Sequence, residues 1–381
     1  MVKGRAILEQ HAAWIDQRTA TSRAELLERV LHWLPNDGAL DLPGGLRLSR
    51  TSRPTVKRHG VSTPALCVVL QGAKEVLLGN ERYCYDAEHY LITAMALPIA
   101  TRVLLASPEQ PYIGLVLQLD PALVGAVIVE AGQLGATPRA VRAFDVSPLD
   151  GGLLDALARL VHLVDAPAAD AGFLRPLIVR EIVFRLLRSD QGERLRQIAG
   201  VGGQAQRIAR ALERLRAEYD RPLRVAAIAR DLGMSVSSFH HHFKAVTALT
   251  PVQFQKQLRL QEARRLMLSD GLAVAGAAYR VGYRDASHFT RDYRRLFGVS
   301  PRRDVARLRM APSARSASKS WKRLARCAAV RSCVPPSITC TLHERALAIA
   351  LPACQSCARF GWVLTMVPSV STTKSYIMRS A

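Results

Sequence analysis

Two stretches decide the reading: Val225-Ala-Ala-Ile-Ala-Arg-Asp-Leu-Gly-Met-Ser-Val-Ser-Ser-Phe-His-His-His-Phe243 and Val274-Ala-Gly-Ala-Ala-Tyr-Arg-Val-Gly-Tyr-Arg-Asp-Ala-Ser-His-Phe-Thr-Arg-Asp-Tyr293. They are copies of one pattern. At a separation of 49, Val225 matches Val274, Ala229 matches Ala278 and Gly233 matches Gly282. One residue is inserted after the glycine. At a separation of 50, Ser235 then matches Asp285, Ser237 matches Ser287, Phe239 matches Phe289 and Phe243 matches Tyr293. Lys244 pairs with Arg294 and Pro251 with Pro301 in the same register. Each copy has the grammar of a helix-turn-helix. Ala229 and Ala278 are small where two helices must cross. Gly233 and Gly282 can take the left-handed conformation that ends the first helix. Ser235 and Asp285 are N-caps for the second. That second helix has an aromatic side to bury and a polar side to show. The polar side holds Ser237, His240, His241 and Lys244 in one copy, and Ser287, His288, Arg291 and Arg294 in the other. Such a face suits a helix entering a major groove. A plain helical hairpin with solvated polar faces would explain one copy as well. Two matched copies in a basic block weigh against it.

The charge follows the repeat. Of a net +22, residues 1–204 carry +1, residues 205–310 carry +12 and residues 311–381 carry +9. A basic block is what phosphate binding requires, although solvated Lys and Arg faces would give the same count. The run His240-His241-His242 does not read as a metal site, because consecutive helical residues point about 100° apart. Between the copies, Val252 to Leu268 reads as a rigid spacer helix that packs Phe254, Leu258, Leu260, Ala263, Leu266 and Met267. A rigid spacer would set the two recognition helices one turn of DNA apart, about 34 Å.

Upstream, residues 1–40 read as helix, with Leu26, Leu27, Val30, Leu31 and Leu34 on one stripe and Pro35 and Gly38 as its stop. Residues 41–120 change character. Short apolar runs (Leu66–Leu70, Val76–Leu78, Tyr90–Thr93, Ala100–Leu105, Tyr112–Leu119) alternate with Gly, Pro and Asn. This predicts a small antiparallel barrel or sandwich. From Asp150 the helical period returns. One stripe is Leu153, Leu154, Leu157, Leu160, Val161 and Val164. A second is Leu174, Leu177, Ile178, Ile182, Val183, Leu186 and Leu187. Two such helices either cover the sheet or pair with a second subunit. Gly200 to Gly203 reads as a linker.

Length and composition set outer bounds. A chain of 381 residues, 49 % hydrophobic, exceeds one ordinary core and predicts two domains with an extension. Glu9, His11 and Asp16 interrupt any secretory signal, and no run of about 18 apolar residues predicts a membrane span. Only Cys67 and Cys84 precede residue 311, which fits a reducing cytoplasm better than a disulfide framework. The tail, residues 311–381, holds the other five cysteines and a single acidic residue, Glu344. Cys354-Gln-Ser-Cys357 is half of a zinc site without a second close pair among Cys327, Cys333 and Cys340. The tail reads as a disordered basic extension or a non-native reading-frame extension.

At this point the chain resembles the AraC-type transcription regulators. The resemblance is carried by Val225–Ser235, by the spacer Leu258-Arg-Leu-Gln-Glu-Ala-Arg-Arg-Leu266, and by Tyr279–Phe289 with Arg291, Tyr293, Arg294, Phe297-Gly298 and Pro301. It implies two helix-turn-helix units over residues 205–310 that read adjacent major grooves. Carried over by position, it makes Ser237, His240, His241, Ala286, Ser287 and Arg291 the base readers, with Lys244, Thr290 and Arg294 on phosphates. Ala229, Gly233, Ala278 and Gly282 are its structural positions. Three residues depart from the pattern. Ala273 stands where a capping Ser, Thr or Asp is usual, Gly276 lies inside a helix, and His288 stands where an amide is common.

Pro64–Lys74, Leu78-Gly-Asn80, Tyr83, Tyr85, Ser107–Ile113 and Leu119-Asp-Pro121 are similar to the N-terminal domain of one branch of that family. The implied fold class is α+β: a cupin-like β-barrel with flanking helices over residues 1–200, then an all-α domain of two helix-turn-helix units joined by a spacer helix. Cupin-like barrels can be metal enzymes, but those need a His-x-His pair. Here the region has only His59 and His89, each read as a surface or loop histidine, so neither metal nor cofactor is expected. A small-molecule effector in the barrel mouth is expected instead. Cys67, in an apolar strand, reads as a small buried hydrophobe rather than a redox sensor. Cys84, between Tyr83 and Tyr85, alternates outward. The implied partners are double-stranded promoter DNA, RNA polymerase and the effector. A homodimer is allowed but not required, because one chain already supplies two recognition helices. Two other readings stay open: a nonspecific architectural DNA-binding protein, and a cupin-type metal enzyme fused to a DNA-binding domain.

Overall fold

The computed structural model describes residues 19–132, 141–200, 203–310, 340–341, 362–367 and 375–380. A helix, α1, runs over residues 19–33, with Leu26 and Val30 fully buried. The sheet region follows as β1 (Gly38–Leu42), β2 (Leu46–Thr51), β3 (Arg58–Val61), β4 (Ala65–Gln71), β5 (Ala73–Leu78), β6 (Glu81–Asp86), β7 (His89–Thr93), β8 (Pro98–Leu105) and β9 (Tyr112–Gln118). Helix α2 (Pro121–Glu130) and strand β10 (Phe144–Pro148) complete it.

These strands form two sheets, the sandwich form of the barrel or sandwich that the sequence predicted. One has the order β1-β2-β9-β4-β7-β10, the other β3-β8-β5-β6. The chain crosses between them at Gly72, which sits at φ +85 and where a Cβ would strike the Leu105 carbonyl. Register shifts flank this corner, between Val69 and Gln71 and between Ala73 and Lys74. Bulges of this kind bend a strand and let it leave one sheet for the other. All five apolar runs read from sequence lie in strands, except that Leu119 falls one residue past the end of β9. The strands β1, β2, β3, β6 and β10 were not legible, because none of them carries a continuous apolar run.

The outer face of the first sheet is dry. Leu48, Leu66, Ile113, Leu115 and Leu117 are each 0 % exposed. Helices α3 (Gly151–His162), α4 (Ala168–Arg188) and α5 (Gly192–Ile198) follow β10. The end of α4 and the start of α5 meet this face through Tyr90 Oη and Ser189 Oγ, 3.2 Å apart, and through Gln191 Nε2 donating to Ser147 Oγ at 2.5 Å. The α3 stripe packs as read, except that Val164 lies beyond the helix and is half-buried. The α4 stripe needs correction. Ile182, Val183, Leu186 and Leu187 are buried, but Leu174 and Leu177 are 41 % and 52 % exposed. Apart from Ala171, the buried positions of this helix lie beyond Pro176.

The helical half contains α6 (Gly203–Ala217), α7 (Val225–Asp231), α8 (Val236–Thr247), α9 (Pro251–Ser269), α10 (Val274–Arg280), α11 (Ala286–Phe297) and α12 (Pro301–Met310). Two aromatic clusters organise it. Phe243 lies 5.5 Å from Phe239 and 5.8 Å from Phe254. Tyr293 lies 5.5 Å from Phe289 and 4.3 Å from Phe297. Tilted and edge-on pairs at these distances add to the burial of each ring.

The tail forms a separate unit, Lys319–Ala381. Its described strands are β11 (Cys340–Thr341), β12 (Trp362–Val367) and β13 (Ser375–Ser380), with β13 antiparallel to both of the others. Cys327, Cys333, Cys354 and Cys357 lie outside the described residues, and with them the half zinc site.

Candidate nucleic-acid interface

Both repeats fold as helix, turn and helix at the positions their residues dictate. Gly233 ends α7 at φ +64 and Gly282 ends α10 at φ +84. The two glycines differ in their surroundings. Gly233 faces open space, whereas a Cβ at Gly282 would also run into the Asp220 carbonyl. Ser235 caps α8 by accepting from the Ser238 amide at 3.1 Å, and Asp285 caps α11 by accepting from the Ser287 amide at 2.7 Å. Ala229 and Ala278, 1 % and 0 % exposed, let the helices of each unit cross closely. Ala273 occupies the N-cap of α10 and makes no side-chain cap.

The polar faces then fall into place. On α11, Ala286, Ser287, Thr290, Arg291 and Arg294 line one shallow, open surface. Ser287, Arg291 and Arg294 are exposed, while Ala286 and Thr290 are half-buried. The Thr290 hydroxyl already donates to the Ala286 carbonyl at 2.8 Å, leaving only its lone pairs for a partner. On α8, Ser237, His241 and Lys244 are exposed at helical spacing, but His240 is half-buried with its ring 6.2 Å from Phe239. The sequence had placed His240 among the freely exposed groups. Its ring instead leans on the aromatic core, so His241 is the more accessible imidazole. His288 stands at the exposed start of α11, with Nε2 3.8 Å from Asp285.

Three positioning residues went unread in the sequence. Arg259 of α9 donates to the carbonyls of Tyr219 (2.6 Å), Arg221 (2.8 Å), Gly282 (3.1 Å) and Asp220 (3.2 Å). One guanidinium thus joins the loop after α6 to the turn of the second unit. Asp304 of α12 is fully buried. It accepts from Tyr293 Oη at 2.8 Å and Arg307 at 2.8 Å, and its Oδ2 lies 2.8 Å from Arg264 Nε. Burial first, and the Asp304 carboxylate second, push the Tyr293 phenol far above its ordinary range. Arg142, just before β10, donates to the carbonyls of Lys244 and Ala245 at the end of α8. The repeats carry no trace of these contacts, because, Arg307 apart, the partners lie on different elements.

The sheet-bearing half touches both units. Beside Arg142, the Ala143 amide donates to the Val246 carbonyl at 3.0 Å, and the β5–β6 turn at Gly79 packs against Ala248 and Leu249. On the second unit, Gln261 donates to the Gly60 carbonyl at 2.9 Å, and the His59 ring meets Phe297 edge-on at 4.8 Å. His59 is therefore a half-buried seam residue in β3, not a surface or loop histidine. Burial, reinforced by Arg264, lowers it to about 4. His89 is half-buried at the start of β7 and bonds Asp86 at 2.7 Å. No group of three or more metal-ligating side chains gathers among the described residues. No helix among them is long and apolar enough to cross a membrane.

Fold and site together define a two-part helix-turn-helix protein: a sheet sandwich with flanking helices, joined to paired recognition units. Residues 43–194 match the AraC-type transcriptional regulator N-terminus and residues 228–307 match a helix-turn-helix domain. The chain belongs to the AraC-type family of transcription regulators. It is similar to the thermoregulatory protein LcrF of Yersinia pestis, 26 % identical over 179 residues, which cover 46 % of this chain and 64 % of LcrF. It is also similar to the transcriptional activator RhaS of Escherichia coli, 38 % identical over 76 residues, which cover 20 % of this chain and 27 % of RhaS. The chain thus spans less than two thirds of either relative. Among solved structures, apo ToxT of Vibrio cholerae aligns at a TM-score of 0.44 and 11 % identity, over 70 % of this chain and 98 % of that one.

Proposed function

We propose that this chain is a sequence-specific DNA-binding transcription regulator whose sheet-bearing half senses a small molecule. The observation that carries the reading is the pair of capped recognition helices, each with an exposed hydrogen-bonding stripe, held against one spacer helix in a block of charge +12. Ser287 and Arg291 on α11, and Ser237 and His241 on α8, read base edges, with Ala286 and His240 contributing at closer range. Lys244, Thr290 and Arg294 hold phosphates and set register. The protein acts in the cytoplasm on promoter DNA and contacts RNA polymerase. It needs neither a catalytic role nor a second copy to place two helices on one duplex. Domain boundaries near residues 200–205 and 310 separate sensor, reader and tail.

The test is footprinting of the full chain and of a His241→Ala/Arg291→Ala double variant at about 150 mM salt, where nonspecific phosphate binding is already weakened. The expected result is a short asymmetric motif that the double variant loses. Uniform, salt-sensitive coverage that the variant leaves unchanged would replace this reading with architectural, nonspecific binding.

A further inference from the structure

The sheet-bearing half grips the two reading units with different chemistry. At the first unit the donors are the Ala143 amide and the Arg142 guanidinium, which reach the carbonyls of Lys244, Ala245 and Val246. Neither group gains or loses a proton near neutral pH. The Gly79 turn packs on Ala248 and Leu249 beside them. At the second unit α9 passes β8, and Gln261 Nε2 donates to the Gly60 carbonyl at 2.9 Å. The Gln261 side-chain oxygen is buried with no donor among the described residues. Next to it the His59 ring stands edge-on to Phe297, at 4.8 Å and 77°. Gly60 and His59 both belong to β3, a four-residue edge strand that is mostly exposed and paired with β8. The second seam therefore hangs on a thin element and includes a side chain that can change its charge.

The surroundings of His59 suit the neutral ring. Across the strand pair stands Ala100 of β8, and α11 contributes Phe297. From α9 comes Arg264, whose guanidinium lies 4.5 Å from the Phe297 ring centroid. From α12 comes Asp304, already engaged by Arg264, Arg307 and the Tyr293 hydroxyl. Lys57 adds a further cation from the chain just before β3. An imidazolium here would lose water and face cations whose nearest carboxylate is already shared. Burial first, and Arg264 second, hold His59 at about 4, with Lys57 adding to the shift and Asp304 opposing it. A ring released into water returns to its ordinary 6.5. The closed seam is thus fully favoured above pH 6.5 and weakens as pH falls toward 4. Between pH 7.5 and 5.0 this difference favours opening by roughly thirty-fold.

We propose that the second seam is an acid-released latch: protonation of His59 frees β3 from the second unit, and the reading half swings about the first seam, which holds. The reading half moves as one body because α9 belongs to both of its cores. Phe254 packs on Phe243 of the first unit, while Leu260, Ala263 and Met267 share a cluster with Ala278, Phe289 and Tyr293 of the second. Release of the latch tilts both recognition helices together against the sandwich and leaves their mutual spacing unchanged. The device needs no effector, so it stands apart from the sensor role proposed above.

The test is hydroxyl-radical footprinting of the full chain without DNA, from about pH 7.5 to 4.5, read by mass spectrometry. Phe297, 9 % exposed, reports the second seam, and Leu249, 2 % exposed, reports the first. The expected result is that oxidation of Phe297 rises at least about three-fold by pH 5.0 while that of Leu249 stays level. His59→Phe keeps an edge-on ring and should abolish the rise. Gln261→Ala removes the hydrogen bond to Gly60 and should move the release to higher pH. No rise at Phe297, an equal rise at Leu249, or a rise that survives His59→Phe each overturns the proposal. If His59→Phe fails to fold, Gln261→Ala decides, because a release at unchanged pH would mean that this seam does not govern the exposure of Phe297.

Discussion

Arg142 closes the carboxyl end of the first recognition helix, its guanidinium donating to the Lys244 carbonyl at 2.7 Å. The Lys244 carbonyl also accepts from the Ala248 amide at the C-cap, and the last carbonyls of a helix carry its negative dipole end, so a cation there is favoured. The same side chain lies 2.5 Å from Glu81 at the start of β6. One residue thus joins the sandwich to the element that reads DNA, and the orientation of α8 depends on it.

Replacing Arg142 with Met should therefore cost about 1–2 kcal/mol of stability. Glu81→Gln should cost less, because the carbonyl contacts survive. Thermal melts of both single variants and the double variant measure the coupling. Strict additivity would show that Arg142 acts on α8 without help from Glu81.

The repeat makes a second prediction through its own asymmetry. Ala248 ends α8 at φ 57, while its counterpart Gly298 ends α11 at φ 78. A left-handed alanine is strained where a glycine is not. Ala248→Gly should stabilise the protein by about 0.5–1 kcal/mol. Gly276, inside α10 with open space around its Cβ position, works the other way. Gly276→Ala should gain up to about 1 kcal/mol. Denaturant midpoints at constant m-value check both.

Asp304 predicts a large loss. Asp304→Asn leaves Arg264 buried without its carboxylate and should cost about 3–5 kcal/mol. The damage should centre on α11 and α12, seen as lost hydrogen-exchange protection there before α8. A loss below about 1 kcal/mol would mean the cluster is solvated in solution.

His59 gives a pH dependence with a definite sign. Its folded value is about 4, against an ordinary 6.5, because burial and Arg264 disfavour the imidazolium. Asp304 opposes the shift, and Lys57 adds to it. The unfolded chain takes up the proton first. Stability from this residue is complete above pH 6.5 and is lost as pH falls toward 4. His59→Phe keeps the edge-on contact with Phe297 and removes the titration. Its melting temperature should fall less than that of wild type between about pH 6.5 and 4.5. Parallel curves would place the acid sensitivity elsewhere.

The sequence by itself determined the reading unit. Gly233 and Gly282, the caps Ser235 and Asp285, and the aromatic pairs Phe239/Phe243 and Phe289/Tyr293 act within a few residues of themselves. Local rules of helix ending, capping and periodicity were therefore enough. The same rules found five strands, where apolar residues run on without a break, and passed over edge strands such as β3 and β6. The tertiary structure alone decided what depends on distant partners. It closed Arg142 on Lys244, 102 residues away, and drew Arg264 to Asp304 across 40. It half-buried His240 and left Leu174 and Leu177 in water, though their spacing matches residues that are packed. It also set His59 of β3 against Phe297 of α11. Contacts of this kind follow from how elements stack, and stacking is fixed by the whole core rather than by any one segment's pattern.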